Sequence, residues 1–222
     1  QTAAISLTGS QCSLDCAHCG GHYLEHMMSL EEFAAADDEF SSCLISGGCD
    51  QWGKVVFEGK LQKVAEITGD KRINMHVGLV DEEEITEISQ VADTVSFDFI
   101  ADQETIDKVY GFDKTVEDYI TTYRNLKQQV DVIPHICIGL KGGEIAGEYQ
   151  ALEILKELGV ERLVFIVFIP TAGTRYEEAD PPQLEEVISV LAQARIDFPE
   201  TPIHLGCMRP KGRYRAELDY YA

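Results

Sequence analysis

An α/β fold with a parallel sheet, wound as a partial or nearly complete TIM-type barrel, is predicted by three features of this sequence. Strand-like and helix-like segments alternate along the chain, which is the order of βα units. Several strand segments are near-continuous apolar runs, such as Leu163-Val164-Phe165-Ile166-Val167-Phe168-Ile169. A strand covered by helices on both faces reads this way, whereas a strand with one wet face alternates. The connections are short and carry helix-start and helix-stop residues.

The strands are expected over 3–8, 43–46, 73–79, 94–100, 130–138, 162–169 and 202–206. Ser29 followed by Glu32 forms a capping box that opens a helix, and Asp81 starts another ahead of an Ile85/Ile88 face. Gly147-Glu148 precedes a helix over 149–158 that stops at Gly159. Pro181-Pro182 opens a helix over 183–196. Seven βα units are one short of a closed eight-fold barrel. The chain begins without methionine and ends inside a helix-like stretch, 214–222, so the natural protein is expected to extend past both ends. The 222 residues, 45% of them hydrophobic, are enough for one sizeable core and a single domain over 1–222.

Composition narrows the function classes. The net charge of −21, from 18 basic and 39 acidic residues, disfavours nucleic acid and anionic membrane surfaces as partners. The acids are spread over helical faces, as in Asp81-Glu82-Glu83-Glu84, so solubility explains them as well as a basic partner does. No apolar run approaches the roughly 20 residues of a membrane helix. Seven cysteines in a chain this long do not read as a disulfide framework. A reducing, anaerobic cytoplasm is the expected setting.

In a barrel of this kind chemistry gathers at the C-terminal ends of the strands. Just past the first strand stand Cys12, Cys16 and Cys19, in the order C-x3-C-x2-C. Three thiolates on one loop are one ligand short of a closed tetrahedral site. They can hold three irons of a cubane iron–sulfur cluster and leave the fourth iron open. With His22 they can instead close a structural zinc site, and thiols of this kind also occur as ordinary buried cysteines. The long strand–helix remainder favours the cluster, because zinc modules are usually small.

This spacing after a first strand resembles the signature of the radical S-adenosylmethionine (SAM) superfamily. The wider run, Ile5-Ser6-Leu7-Thr8-Gly9, the cysteine loop and Leu24-Glu25-His26-Met27, is most similar to the two-component lipoyl synthases and more distantly to biotin synthase. The resemblance implies a radical SAM barrel with a 4Fe–4S cluster on Cys12, Cys16 and Cys19 and with SAM at the open iron. It implies reductive cleavage of SAM to methionine and a 5′-deoxyadenosyl radical that abstracts hydrogen from an unactivated C–H. The transferase expected from the flanking run inserts sulfur into a small-molecule or carrier-bound acyl chain, as a lipoyl synthase-like subunit. Rearrangement or methylation by the same radical chemistry is the runner-up, and a non-catalytic zinc or iron–sulfur protein is the reading from another class. An electron donor such as ferredoxin or flavodoxin, and a second radical SAM subunit, are the implied partners.

Mapped onto the strand ends, the resemblance nominates further residues. His18 stands where an aromatic residue often packs near adenine; loop packing is its other reading. Ser46-Gly47-Gly48 follows the second strand, where two glycines let backbone approach a ligand. The superfamily holds the methionine amine of SAM there with an acid close by. Here Cys49 and Asp50 occupy that place, leaving backbone carbonyls and Asp50 to serve, although ordinary turns also use paired glycines. Strand alternation puts Ser96 and Asp98 on one face. Asp98 is a ribose candidate or a member of a structural network. In the glycine-rich stretch from Gly139, either Glu144 or Glu148 matches a pocket-shaping glutamate, and Ile169 is an adenine-packing candidate. Cys49, His76, Cys137 and Cys207 with Arg209 are candidates for a second, sulfur-donating cluster or for substrate contacts; Lys211 joins Arg209 in the latter role. Buried free cysteines remain the plain alternative.

Overall fold

The structure is a computed structural model that describes residues 1–36, 40–57 and 59–222. Seven strands, β1 (Thr2–Ser6), β2 (Ser42–Ser46), β3 (Arg72–His76), β4 (Thr94–Asp98), β5 (Val132–Ile138), β6 (Leu163–Val167) and β7 (Ile203–Leu205), form one sheet in chain order. The helices are α1 (Leu30–Ala35), α2 (Leu61–Thr68), α3 (Glu82–Ser89), α4 (Gln103–Thr105), α5 (Val116–Gln129), α6 (Glu148–Leu158), α7 (Leu184–Asp197) and α8 (Arg213–Tyr221). A 3-10 turn, His22–His26, follows the cysteine loop, and α4 runs into a π-helical turn, Ile106–Tyr110. Among the described residues no helix is long and apolar enough to cross a membrane.

By contacts the chain divides into two compact units, each assembled from several segments. The first comprises 1–15, 21–97 and 120–132, and the second 16–20, 98–119 and 133–222. In the first unit β1–β2, β2–β3 and β3–β4 pair in parallel. The register aligns Ala3 with Cys43 and Ile73, and Ile5 with Ile45, Met75 and Val95. These residues are at most 5% exposed, so register and apolar pattern specify the same pairing. In the second unit β5–β6 and β6–β7 are parallel, with Ile136 opposite Phe165 and Ile138 opposite Val167. All four of these side chains are buried.

Helix starts follow the caps. Ser29 and Asp81 each accept from the amide three residues on, and Glu32 and Glu84 reach back to complete capping boxes. Gly159 ends α6 and Gln183 caps α7. Except for β2, which starts one residue earlier than expected, the strands are shorter than the runs that predicted them, in part because those runs continue into loops that are themselves buried. Beyond β3, Val77 is fully buried, yet the chain turns at Gly78 with φ 69°. A Cβ there would lie 2.1 Å from the Gly53 carbonyl oxygen, so only glycine fits. Similarly, β5 begins at Val132 rather than two residues earlier, and β4 ends at Asp98 with Phe99 and Ile100 buried beyond it.

Candidate cofactor site

In the first unit the loop after β1 lies directly against the loop after β2. Gly48 makes this possible: a Cβ there would sit 1.8 Å from Gln11 O and 2.6 Å from Cys12 Cα. Thr8 stitches the two loops, its hydroxyl donating to Gln11 O at 2.8 Å and accepting from Gly48 N–H at 2.6 Å. The Cys12 sulfur accepts from the Cys49 N–H at 3.3 Å, and Ser13 N–H donates to Cys49 O at 2.8 Å. The Cys49 thiol also donates to Cys12, and amide hydrogen bonds from Leu14 and Cys49 add to it. Together these outweigh partial burial and pull the Cys12 thiol down to about 6. Cys12 is therefore largely thiolate at neutral pH, the form that ligates a metal.

The remaining candidates of this unit are already engaged. Gly48 O accepts from Val56 N–H at 3.2 Å and Ser46 O from Leu7 N–H at 2.8 Å. The Asp50 carboxylate closes its own turn, accepting from Trp52 and Lys54 N–H at 2.8 and 3.1 Å. Ser96 is buried and exchanges hydrogen bonds with the Asn74 amide at 2.9 and 3.1 Å. His76 is the register partner of Ser96 on the neighbouring strand.

In the second unit Cys16 and Cys19 share one tight turn, in which Cys19 and Gly20 N–H both donate to Cys16 O at 3.1 and 3.0 Å. Ala17, fully buried between them, anchors this turn on both sides. Its N–H donates to Val109 O at 2.7 Å, and its carbonyl accepts from Tyr176 N–H at 3.0 Å. Arg175 donates to Lys108 O at 3.1 Å and to Val109 O at 3.2 Å, so Val109 O receives both Arg175 and Ala17. The π-helical turn that carries these carbonyls ends on Tyr110, whose ring meets His18 edge-on at 5.8 Å.

Burial, only partly offset by the Asp98 carboxylate, holds His18 down to about 4, so its ring is neutral at physiological pH. Burial first, then Tyr119, Asp98, Cys16 and Cys137, pushes the Tyr110 hydroxyl far up. Burial with Asp98 and Glu148 does the same to the Cys137 thiol, which is therefore protonated. Thus Cys16, His18, Asp98 and Cys137 are brought together here, and Tyr110 is added to them.

Glu148, not Glu144, is built into this unit's frame. It is 6% exposed and accepts from Gly139 and Ala146 N–H, each at 2.7 Å, while burial raises its carboxyl. Glu144 is an exposed partner of Lys141. Gly139 turns with φ 76°, its absent Cβ giving room to Pro182 at 2.7 Å. Asp102, Thr105, Cys137 and Glu148 line a cavity of about 20 Å³, enough for a single water. Ile169 is half-buried. Past β7, Cys207 and Lys211 are exposed, and Arg209 makes a two-pronged pair with Asp219 at 2.8 and 3.0 Å while also donating to Gly206 O. Among the described residues no group of three His, Cys, Asp or Glu side chains is disposed as a single metal ion would need.

Sequence reasoning missed Thr8, Asn74, Tyr110, Arg175 and Tyr176. Thr8 lay within the quoted Ile5–Gly9 run and Asn74 within the expected 73–79 strand, but neither was singled out.

No protein-family model matches the chain, and no curated protein matches it. Solved structures do. Methylornithine synthase (PylB) superposes with a TM-score of 0.66 at 18% identity, over 96% of this chain and 73% of that one. HydG, a maturase of the FeFe-hydrogenase, gives 0.72 at 15%, over 100% and 55%. Streptococcus suis SuiB bound to S-adenosylmethionine gives 0.65 at 11%, over 96% and 51%. The chain thus spans 73%, 55% and 51% of these three neighbours. Coproporphyrinogen III oxidase (HemN) from Escherichia coli, described as a radical SAM enzyme, gives 0.60 at 10%, over 90% and 52%. The likeness establishes the fold: seven parallel strands with alternating helices, the partial-barrel architecture of these neighbours.

Proposed function

We propose that this protein is a radical SAM enzyme. One observation carries the reading: a C-x3-C-x2-C loop leaves the first strand of a fold shared with radical SAM enzymes. Cys12, Cys16 and Cys19 would hold the 4Fe–4S cluster, and three half-buried thiols on one loop fit the donor set. When bound, the cluster supplies the electron that cleaves SAM reductively and yields a 5′-deoxyadenosyl radical for hydrogen abstraction.

The chain's own groups prepare this. The Cys49 N–H and thiol stabilise the charge on Cys12. Ala17, clamped between Val109 and Tyr176, fixes the turn that presents Cys16 and Cys19. A neutral His18 offers a flat apolar face for adenine, and exposed Asp98 offers a carboxylate to the ribose hydroxyls.

Anaerobic reconstitution tests the reading. About four irons per chain, a reduced-cluster signal altered by SAM, and release of 5′-deoxyadenosine are the expected results. One equivalent of zinc with no iron uptake would refute it and favour the structural zinc site. Within this chemistry we favour sulfur insertion into an acyl chain, with a ferredoxin or flavodoxin as donor and a second radical SAM subunit as partner. This narrower reading is supported by the sequence around the cysteine loop. Sulfur transfer to an octanoyl substrate, in the presence of such a subunit, is its test; 5′-deoxyadenosine release without thiolation would turn the assignment to rearrangement or methylation.

A further inference from the structure

Cys49 lies beside Cys12 in a way that cluster ligation does not require. The Cys12 sulfur sits 3.3 Å from Cys49 N and 3.8 Å from Cys49 O. Both contacts are made by the Cys49 backbone, which places the residue itself against the Cys12 sulfur. The surrounding backbone fixes this approach: Ser13 N–H holds Cys49 O at 2.8 Å, and Gly48 leaves no side chain between the loops. Both cysteines are partly accessible to solvent, whereas Cys43 is buried. A bridge needs the two sulfurs to meet at about 2.05 Å; the backbone already holds Cys49 N 3.3 Å from the Cys12 sulfur, and rotation about the two Cα–Cβ bonds is the movement that would bring sulfur to sulfur.

We propose that Cys12 and Cys49 form a thiol–disulfide exchange pair in the cluster-free protein, closing to a disulfide at the expense of a small oxidised disulfide such as glutathione disulfide. The Cys12 thiolate attacks one sulfur of glutathione disulfide, its S–S bond breaks, and one glutathione leaves as a thiolate that takes up a proton. Cys49, deprotonated, then attacks the Cys12 sulfur of the mixed disulfide and expels the second glutathione. Two protein thiols are oxidised by two electrons, and one glutathione disulfide is reduced to two glutathiones. The bridge removes one of the three cluster thiols from service, so the protein takes up iron only after reduction. It also spares Cys12 from irreversible over-oxidation while the cluster is absent.

The test uses the full chain freed of metal by chelation and exposed to glutathione disulfide. Free thiols are then alkylated, and the protein is digested and analysed by mass spectrometry. A Cys12–Cys49 cross-linked peptide is expected, with iron uptake blocked until dithiothreitol is added. Cys49→Ser should instead retain one glutathionyl group on Cys12, because nothing is left to resolve it. A Cys16–Cys19 bridge as the main product, or Cys49 recovered fully alkylated, would overturn the proposal. The bridge is read by mass in metal-free protein, so its success or failure is separate from that of the cluster assignment.

Discussion

Replacing Gly48 by alanine tests whether contact between the β1 and β2 loops sets the chemistry of Cys12. The new Cβ would arrive 1.8 Å from Gln11 O, 2.7 Å from Gln11 C and 2.6 Å from Cys12 Cα. These are backbone atoms, so no rotamer change relieves the clash, and the loops must separate. Overpacking of this kind costs about 1–3 kcal/mol, and a clash with backbone falls at the upper end. The neighbouring glycine is the control. A Cβ on Gly47 would lie 3.2 Å from Thr8 Cγ2 and 3.3 Å from Thr8 Oγ1, a squeeze of a few tenths of an ångström that leaves the Thr8 hydrogen bonds in place, at a cost of roughly 1 kcal/mol or less. Separating the loops also breaks the Cys49 N–H contact to the Cys12 sulfur.

The assays are urea unfolding of the metal-free protein and the pH dependence of Cys12 alkylation, followed at the peptide. In the parent and in Gly47→Ala the alkylation midpoint should lie near 6. In Gly48→Ala it should climb toward the ordinary 9.0 of a free thiol, together with the loss of stability. Gly48→Ala with parental stability and an unmoved midpoint would refute the assigned contact.

Other outcomes follow from the same geometry. Cys12 has a folded-state pKa below its unfolded one, so its share of stability is present above pH 9.0 and is lost as pH falls through about 6. Urea titrations of metal-free parent and Cys12→Ala should differ in pH slope across that window, and parallel slopes would contradict the shift. Glu148 has the opposite sign. Its carboxyl is raised above 4.5 by burial, so its contribution is present below 4.5 and is lost as pH rises through the folded value. Glu148→Gln should remove that slope, yet cost about 1–3 kcal/mol at neutral pH, because one of the two backbone N–H groups would face an amide NH2. Arg175→Gln should leave global stability within about 1 kcal/mol while speeding hydrogen exchange at the Ala17 amide about tenfold; unchanged exchange there would show that Arg175 does not steady the cysteine turn.

What could be read from sequence here is what depends on local pattern. Apolar runs such as Leu163–Val167 marked the strands, and Ser29/Glu32 and Asp81/Glu84 marked helix starts, because burial and capping act within a few residues. The cysteine loop was legible for the same reason, its thiols being close in sequence. The supports of that loop were not. Arg175 reaches carbonyls 66 and 67 positions away, and a backbone acceptor leaves no residue-type signature. Gly48 and Asp50 illustrate two outcomes of one reading. The glycine is required by the Gln11–Cys12 backbone, and Oδ1 of the Asp50 carboxylate closes its own turn. Arg209 was a candidate for a second cluster or a substrate contact, and its pairing with Asp219, ten residues on, was not legible in the sequence.

The central claim is that Cys12, Cys16 and Cys19 hold an open-sited cubane that meets SAM. Its most direct measurement is the electron paramagnetic resonance spectrum of the anaerobically reconstituted, reduced protein, with and without SAM, alongside iron and sulfide content. About four irons and four sulfides per chain with a spectrum changed by SAM are predicted, and Cys16→Ala should abolish both. A spectrum indifferent to SAM, or a cluster that survives loss of Cys16, would contradict it.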